Sequence, residues 1–235
     1  MLRLDSLSFA SRGQKILSDV TTVIPDSALT CLIGANGAGK TTLLRVLLGE
    51  LRAGSGTFYI DNTRASALSP KRIATYLAII PQGIQPPPDF TVSELVTLGW
   101  SPPNRAFWWR LSAQERGSVQ ECITRCDVSQ FSERRVEELS GGEQRRAWLA
   151  FALAQRKRYL LLDETLDGLD VLAKQSFFKL LKEVASEGKG ILLTTHDLDL
   201  VTHFADKVVV LSGGRVNYEG PPIPNLQDLL LPASA

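Results

Sequence analysis

The sequence is poor in cysteine and histidine, and it has no long apolar run. Its 235 residues include three cysteines and two histidines, too few and too scattered for a zinc site. An odd cysteine count without an export signal predicts reduced thiols in a cytosolic compartment. Because no apolar stretch approaches the roughly 20 residues that span a bilayer, we expect a chain that is not itself embedded in a membrane.

Neither sign of charge is in excess. Lysine and arginine number 26 against 25 acidic residues, a formal net charge of +1, so we expect no nucleic-acid partner. The hydrophobic fraction of 44% and the charged fraction of 22% are typical of globular proteins and exclude a disordered or collagen-like chain. At roughly 150 residues per domain, the length allows one domain, or one core with appended subdomains.

The apolar pattern predicts two kinds of sheet. Several short strands precede the first long helix, which indicates a partly antiparallel layer at this end. From residue 159 onward, strands alternate with helices, which indicates a parallel sheet with helices on both faces. The predicted strands are 2–9, 15–24, 28–33, 57–60, 75–80, 159–162, 190–195, 207–211 and 215–218. The predicted helices are 43–48, 92–98, 113–126, 147–155, 171–187 and 198–205.

Residues 34–41 fit the phosphate-loop pattern G-x-x-x-x-G-K-[ST], between a predicted strand and a predicted helix. Backbone N–H groups of such a loop wrap phosphate oxygens, and the helix N-terminus adds positive potential. Lys40 would contact the β- and γ-phosphates, and the Thr41 hydroxyl would ligate Mg²⁺. The alternative is a glycine-rich turn. The residues assigned to the nucleotide are Gly34, Asn36, Gly37, Gly39, Lys40, Thr41 and Thr42.

Two acids end the apolar strand that begins at residue 159. In open α/β folds, ligands bind at the carboxyl edge of the sheet, where these acids would lie. Asp163 could hold Mg²⁺ through water, and Glu164 could take a proton from an attacking water. The alternative is a solvated strand end with ordinary acids.

The segment Leu-Ser-Gly-Gly occurs twice and is weak evidence by itself. At 211–214 it lies between two predicted strands, where Gly-Gly is an ordinary hairpin turn. At 139–142 it opens a predicted helix, and Ser140 with Glu143 also has the form of a capping box. A nucleotide role for Ser140, Gly141 and Gly142 is favoured because this copy opens a helix just ahead of the Asp163 strand.

In this order the motifs resemble the nucleotide-binding subunit of ATP-binding cassette (ABC) transporters, over residues 2–219. The resemblance implies an α/β P-loop NTPase fold, with a RecA-like parallel sheet core, an antiparallel β subdomain and a helical insert. It implies one ABC ATPase domain over 1–235. Its predicted parts are a nucleotide-binding core with the antiparallel layer (1–84 and 156–220), a helical insert carrying the signature (85–155) and a tail (221–235).

The resemblance also implies roles. Two copies would pack head to tail and hydrolyse two ATP, each held between one phosphate loop and Ser140, Gly141 and Gly142 of the other copy. Gln82 would touch the Mg²⁺, which Thr41 and Asp163 would also bind, and His196 would contact the γ-phosphate. Without that resemblance, a lone Gln82 or His196 is most simply a surface polar group.

Two positions depart from the family pattern. Ser11 stands where the family usually has an aromatic residue that stacks on adenine, so the neighbouring Arg12 is the candidate to stack instead. Phe9 is out of place for stacking and is predicted to be in the core. Thr165-Leu166 replaces the usual Pro-Thr after the two acids, which predicts a looser D-loop (the segment ending at Asp170).

Residues 92–103, the predicted helix that follows Ser112, and residues 134–139 are together similar to the ATPases of iron–siderophore, haem and vitamin B12 importers. Importers of other metals or small solutes are the alternative. This implies membrane permease subunits and a solute-binding protein as partners, and a peripheral position on the cytoplasmic face of the inner membrane. A single-cassette cytosolic ATPase that acts in an assembly process is the alternative function.

Two further segments have open interpretations. Trp100, Phe107, Trp108 and Trp109 form an aromatic cluster that is either core or a docking face for the permease. Arg156, Lys157 and Arg158 are predicted to be a solvated connection.

Overall fold

The structure is a computed structural model that describes residues 1–100 and 111–230. Its strands are β1 (Leu2–Ser11), β2 (Gln14–Ile24), β3 (Ala28–Ile33), β4 (Ser55–Ile60), β5 (Thr63–Arg64), β6 (Leu77–Ile80), β7 (Tyr159–Asp163), β8 (Gly190–Thr194), β9 (Lys207–Ser212) and β10 (Arg215–Gly220). Its α-helices are α1 (Lys40–Leu47), α2 (Pro70–Ile73), α3 (Val92–Trp100), α4 (Ala113–Arg125), α5 (Gly141–Ala154), α6 (Val171–Ser186) and α7 (Leu198–Phe204).

The core sheet has the strand order β10-β9-β3-β8-β7-β6. Its strands are parallel except for β10, which forms an antiparallel hairpin with β9. Every residue of β3, β7 and β8 is buried, because helices or the second sheet cover both faces of these strands. The predicted parallel sheet is confirmed.

The second sheet, of order β2-β1-β4-β5, is antiparallel, which confirms the predicted layer. Leu2, Leu4 and Leu7 of β1 are buried, and with α1 they form a core against one face of the core sheet. Phe9 packs at the margin of this core, as expected. The short elements β5 and α2 were not predicted, because two to four residues are too few to establish a period.

Helices α3, α4 and α5 pack on one another beside the core sheet. A Cβ at Gly99 of α3 would lie 2.3 Å from the carbonyl oxygen of Phe151 in α5, so the two helix backbones are in contact. Capping boxes open α3 and α4, as predicted: the Thr91 N–H donates to Glu94 at 2.9 Å, and the Ser112 N–H donates to Glu115 at 2.7 Å.

The basic stretch before β7 does more than the predicted solvated connection. The Arg156 guanidinium carbon lies 3.3 Å from the ring centroid of Trp100. Arg158 donates to Asp26 at 2.6 Å and also contacts Asp61. Its partners follow β2 and β4, far away in the sequence, so no local pattern reveals them.

The structure addresses the aromatic cluster only in part. Trp100 packs partly buried against the core, whereas Phe107, Trp108 and Trp109 lie outside the described residues. The three cysteines are free thiols, as expected. Within 1–100 and 111–230, no helix combines the length and the apolar character needed to cross a bilayer.

Candidate nucleotide site

The parallel strands bring four parts of the predicted site to one edge of the core sheet. The phosphate loop follows β3, Gln82 follows β6, Glu164 follows β7 and His196 follows β8. These strands are neighbours in the sheet and run in the same direction. Polar groups far apart in the sequence therefore meet at its carboxyl edge, the usual ligand edge of such sheets.

The phosphate loop is closely packed from below. A Cβ at Gly34 would lie 2.3 Å from the carbonyl oxygen of Leu211, and one at Gly39 would lie 2.8 Å from a methyl carbon of Leu17. Gly39 also has φ +102°, a conformation that favours glycine. The two glycines therefore let the loop rest on β9 and β2 and turn directly into α1.

Lys40 is folded back over its own loop. Its side chain is only 6% exposed, and its ammonium donates to the carbonyl oxygen of Gly34 at 2.9 Å. The same nitrogen lies 3.3 Å from Oε1 of Glu164. The cation predicted to bind phosphate is thus paired with the predicted base.

Glu164 joins a third site residue to this pair. Its Oε2 accepts a hydrogen bond of 2.8 Å from the side-chain amide of Gln82. Lys40, Gln82 and Glu164 therefore form one contact cluster, although they were predicted from three separate sequence segments.

Asp163 is the last residue of β7, directly before Glu164, and is 4% exposed. Its Oδ1 accepts a hydrogen bond of 2.7 Å from the hydroxyl of Thr194. With the Thr41 hydroxyl and the Gln82 amide oxygen, it would supply an all-oxygen ligand set, the kind that Mg²⁺ prefers. The chemistry of these donors fits the predicted metal.

His196 lies at the rim of the site and is more exposed than the cluster. Its side chain is 60% exposed, and its Nε2 lies 3.8 Å from Oδ1 of Asp167. The next residue, Asp197, pairs with Lys174 at 3.0 Å. The neighbour of the histidine is thus anchored to α6, while the imidazole itself is open to solvent.

A cavity of about 390 Å³ lies over the phosphate loop. It is lined by residues 36–42 and Glu164, and from β2 by Gln14 and Ile16. Arg12 lies in the tight turn before β2 with φ +50° and is not among its lining residues. The sequence analysis did not include Ile16 in the site. The available signal was an apolar residue in the strand that follows Ser11, and the structure places it half-buried at the cavity.

The second predicted part of the site lies at the start of α5. The Ser140 N–H donates to Glu143 at 2.8 Å, and the Ser140 hydroxyl accepts from the Glu143 N–H at 3.4 Å, so the capping box is real. A Cβ at Gly142 would lie 3.8 Å from the Cβ of Ala173. The N-termini of α5 and α6 are therefore side by side.

Ser140, Gly141 and Gly142 do not line the cavity over the phosphate loop. Beside them, Val171 and Leu172 of α6 are 67% and 76% exposed, unusual for large apolar side chains. The second copy of the tetrapeptide is a hairpin turn between β9 and β10, with positive φ at Gly213 and Gly214, as predicted.

Named relatives give the same assignment as the motifs. The model of the family "ABC transporter" matches residues 17–167. The chain is 34% identical to a hemin import ATP-binding protein of Rhodococcus jostii, over 98% of this chain and 78% of the relative. It is 34% identical to an iron(3+)-hydroxamate import ATP-binding protein of Bacillus subtilis, over 93% and 81%, and 36% identical to a cobalamin import ATP-binding protein of Halobacterium salinarum, over 94% and 55%.

Solved structures agree with these relatives. A Clostridium perfringens subunit of an ABC transporter complex superposes with a TM-score of 0.83 and 27% identity, covering 94% of this chain and 88% of that one. A dimeric bacterial ABC transporter cassette gives a TM-score of 0.79 and 25% identity, covering 95% and 99%. The chain belongs to the ABC transporter ATP-binding proteins, which bind ATP and hydrolyse it.

Proposed function

We propose that this chain powers an import system, as two copies that hydrolyse two ATP at their shared interface. The observation that carries the hydrolysis is the contact cluster of Lys40, Gln82 and Glu164 at the phosphate loop. Phosphoryl transfer to water needs a cation that binds phosphate, a carboxylate that acts as base, and a group that helps to hold the metal. Lys40, Glu164 and the side-chain amide of Gln82 would supply these three groups within contact distance of one another.

In the proposed reaction, the nucleotide phosphates draw Lys40 away from Glu164. The loop N–H groups and Lys40 then hold the β- and γ-phosphates, with His196 at the rim to contact the γ-phosphate. Glu164 accepts a proton from a water molecule while the oxygen of that water bonds to the γ-phosphorus. The bond between the γ-phosphorus and the β–γ bridging oxygen breaks, and ADP leaves with the electron pair of that bond. Mg²⁺, held by Thr41, Asp163 and Gln82, would neutralise charge on the phosphate oxygens.

The proposed dimer is supported by the separation of the two halves of the site. Ser140, Gly141 and Gly142 lie outside the phosphate-loop cavity, so within one chain they do not complete it. The N-terminus of α5 would supply N–H donors to the γ-phosphate of the other copy. Exposed Val171 and Leu172 beside it would be covered by the same contact.

The import class is supported by the relatives, whose names are hemin, hydroxamate and cobalamin import ATP-binding proteins. We infer that this chain drives uptake of a solute of that kind. Its partners would be polytopic permease subunits and a solute-binding protein, at the cytoplasmic face of the membrane. The segment 85–155, with α3 and α4, is proposed as the insert that contacts the permease.

Copurification tests this proposal. The chain is expressed with an affinity tag in its own cells, extracted in mild detergent, and assayed for bound polytopic membrane protein and for ATP hydrolysis. We expect both, with hydrolysis lost in Lys40→Ala. An active ATPase that brings down only cytosolic proteins would contradict the import role and favour the assembly function.

A further inference from the structure

Thr194 contacts both acids of the site with one side-chain oxygen. It is the last residue of β8 and is fully buried. Its hydroxyl donates to Oδ1 of Asp163 at 2.7 Å and accepts from the backbone N–H of Glu164 at 2.9 Å. A threonine hydroxyl has one proton to donate and lone pairs to accept, and here it uses both functions.

The backbone at Glu164 needs such support. Its φ of +44° is in the left-handed region, which non-glycine residues adopt rarely and at an energetic cost. The same N–H group also reaches the carbonyl oxygen of Thr194, at 3.3 Å. These contacts hold the sharp turn after β7 that leaves the Glu164 carboxylate against Lys40 and Gln82.

We propose that Thr194 is a positioning residue for ATP hydrolysis, which holds the general base and the metal-side acid at a fixed separation. This inference rests on the proposed role of Glu164 as the base. Thr194 acts through Asp163 and Glu164 rather than on the substrate, so its loss lowers the rate of the chemical step and spares phosphate binding by the loop.

The test replaces Thr194 with valine, which keeps the shape and removes the hydroxyl. At saturating Mg²⁺, we expect the kcat for ATP hydrolysis to fall by about tenfold to a hundredfold, the usual effect of losing one hydrogen bond to a charged group. The KM for ATP should stay within about twofold. Thr194→Ser, which restores the hydroxyl, should recover the rate to within about threefold.

Thr30→Val is the matched control. Thr30 lies in the neighbouring strand β3, is equally buried, and its hydroxyl has no hydrogen-bond partner in the described part of the chain. We expect wild-type kcat and KM. Thr30→Val therefore controls for replacing a buried hydroxyl with a methyl group where no hydrogen bond is lost. A purely structural effect of Thr194→Val would lower the amount of folded protein without a selective fall in kcat.

The experiment distinguishes failure of the positioning role of Thr194 from failure of the proposed role of Glu164. If Glu164→Gln abolishes hydrolysis while Thr194→Val keeps the wild-type kcat, the positioning role is wrong and the proposed reaction stands. If Thr194→Ser is as slow as Thr194→Val, the hydroxyl is not the reason and the inference also fails. If Glu164→Gln hydrolyses ATP at the wild-type rate, the proposed base itself is wrong. If Thr194→Val folds but no longer binds ATP, the positioning role is also wrong, because that role is confined to the chemical step. Should Thr194→Val fail to fold, Thr194→Ala takes its place in the same comparison.

Discussion

Lys40 and Glu164 restrain each other through a close ion pair. Their contact of 3.3 Å is shielded, with side chains 6% and 15% exposed, so it is less screened than a surface pair. ATP therefore competes with a carboxylate for the same ammonium group. Phosphates that bind the Lys40 ammonium would therefore free the carboxylate that is proposed to act as the base.

The first prediction concerns this pair. Glu164→Gln removes the base and keeps the side-chain shape, so hydrolysis should fall by roughly 10²–10⁴-fold. ATP binding should survive, because Lys40 and the loop are intact and Lys40 no longer has a competing carboxylate. Phosphate release and nucleotide titration measure the two effects. Wild-type hydrolysis in this variant would refute the assignment of the base.

Base selectivity is the second prediction at this scale. An aromatic face contributes about 1–3 kcal/mol of stacking, and Ser11 provides none. We expect GTP to be used within about tenfold of ATP, which corresponds to roughly 1.4 kcal/mol, and Arg12→Ala to loosen ATP binding. Competition between ATP and GTP for binding measures this preference in the wild type and in Arg12→Ala. Ile16→Ala is measured alongside, because Ile16 lines the cavity and could contact the base. A strong ATP preference that Arg12→Ala leaves unchanged would show that another residue contacts the base.

Among the elements, α4 and α5 begin with the same capping box, and this provides a matched experiment. Ser112→Ala and Ser140→Ala each remove one cap, so each should lower the free energy of unfolding by about 1 kcal/mol. Only Ser140→Ala should also weaken ATP-driven dimerisation, because only α5 is proposed to face the second nucleotide. Light scattering in the Glu164→Gln background measures the dimer. Equal dimerisation of the two variants would leave Ser140 with a capping role alone.

Secondary structure was predictable because local patterns determine it. The capping box of α4, the period of α6 and the mainly apolar runs of β3 and β7 are visible in a short window of sequence. The contacts of the site are not, because they depend on strand order. Nothing near Thr194 indicates Asp163, and nothing near Arg158 indicates Asp26, since each pair meets only when distant strands align. The contact of Ile16 with the cavity is likewise not visible locally, because it depends on how β2 lies beside the phosphate loop.

At the scale of the whole molecule, one charged cluster joins the two sheets. Asp26 follows β2, Asp61 follows β4, and both contact Arg158, just before β7. Burial acts to raise the pKa of Asp26, but hydrogen bonds from Arg158 and Tyr159 outweigh it and lower the pKa to about 2. The ionised carboxylate is therefore favoured in the folded state, and it stabilises the junction.

Asp26→Asn should lower the free energy of unfolding by about 1–2 kcal/mol at pH 7. Because the folded pKa lies below the ordinary 3.8, this advantage of the wild type is complete above about pH 4 and is lost as the pH falls towards 2. Denaturant unfolding at several pH values measures it. Glu50→Gln, which breaks an exposed pair with Arg45, should change stability by less than about 0.5 kcal/mol. Equal effects of the two variants would contradict the bridging role.

The position of β3 also affects the timing of synthesis. This strand carries the phosphate loop, yet its two neighbours in the sheet are residues 190–194 and 207–210. At about 5–20 residues per second, a ribosome needs roughly ten to thirty seconds to make the chain between them. During that time the strand lacks both of its neighbours in the sheet, so the growing chain exposes unpaired backbone groups beneath its phosphate loop.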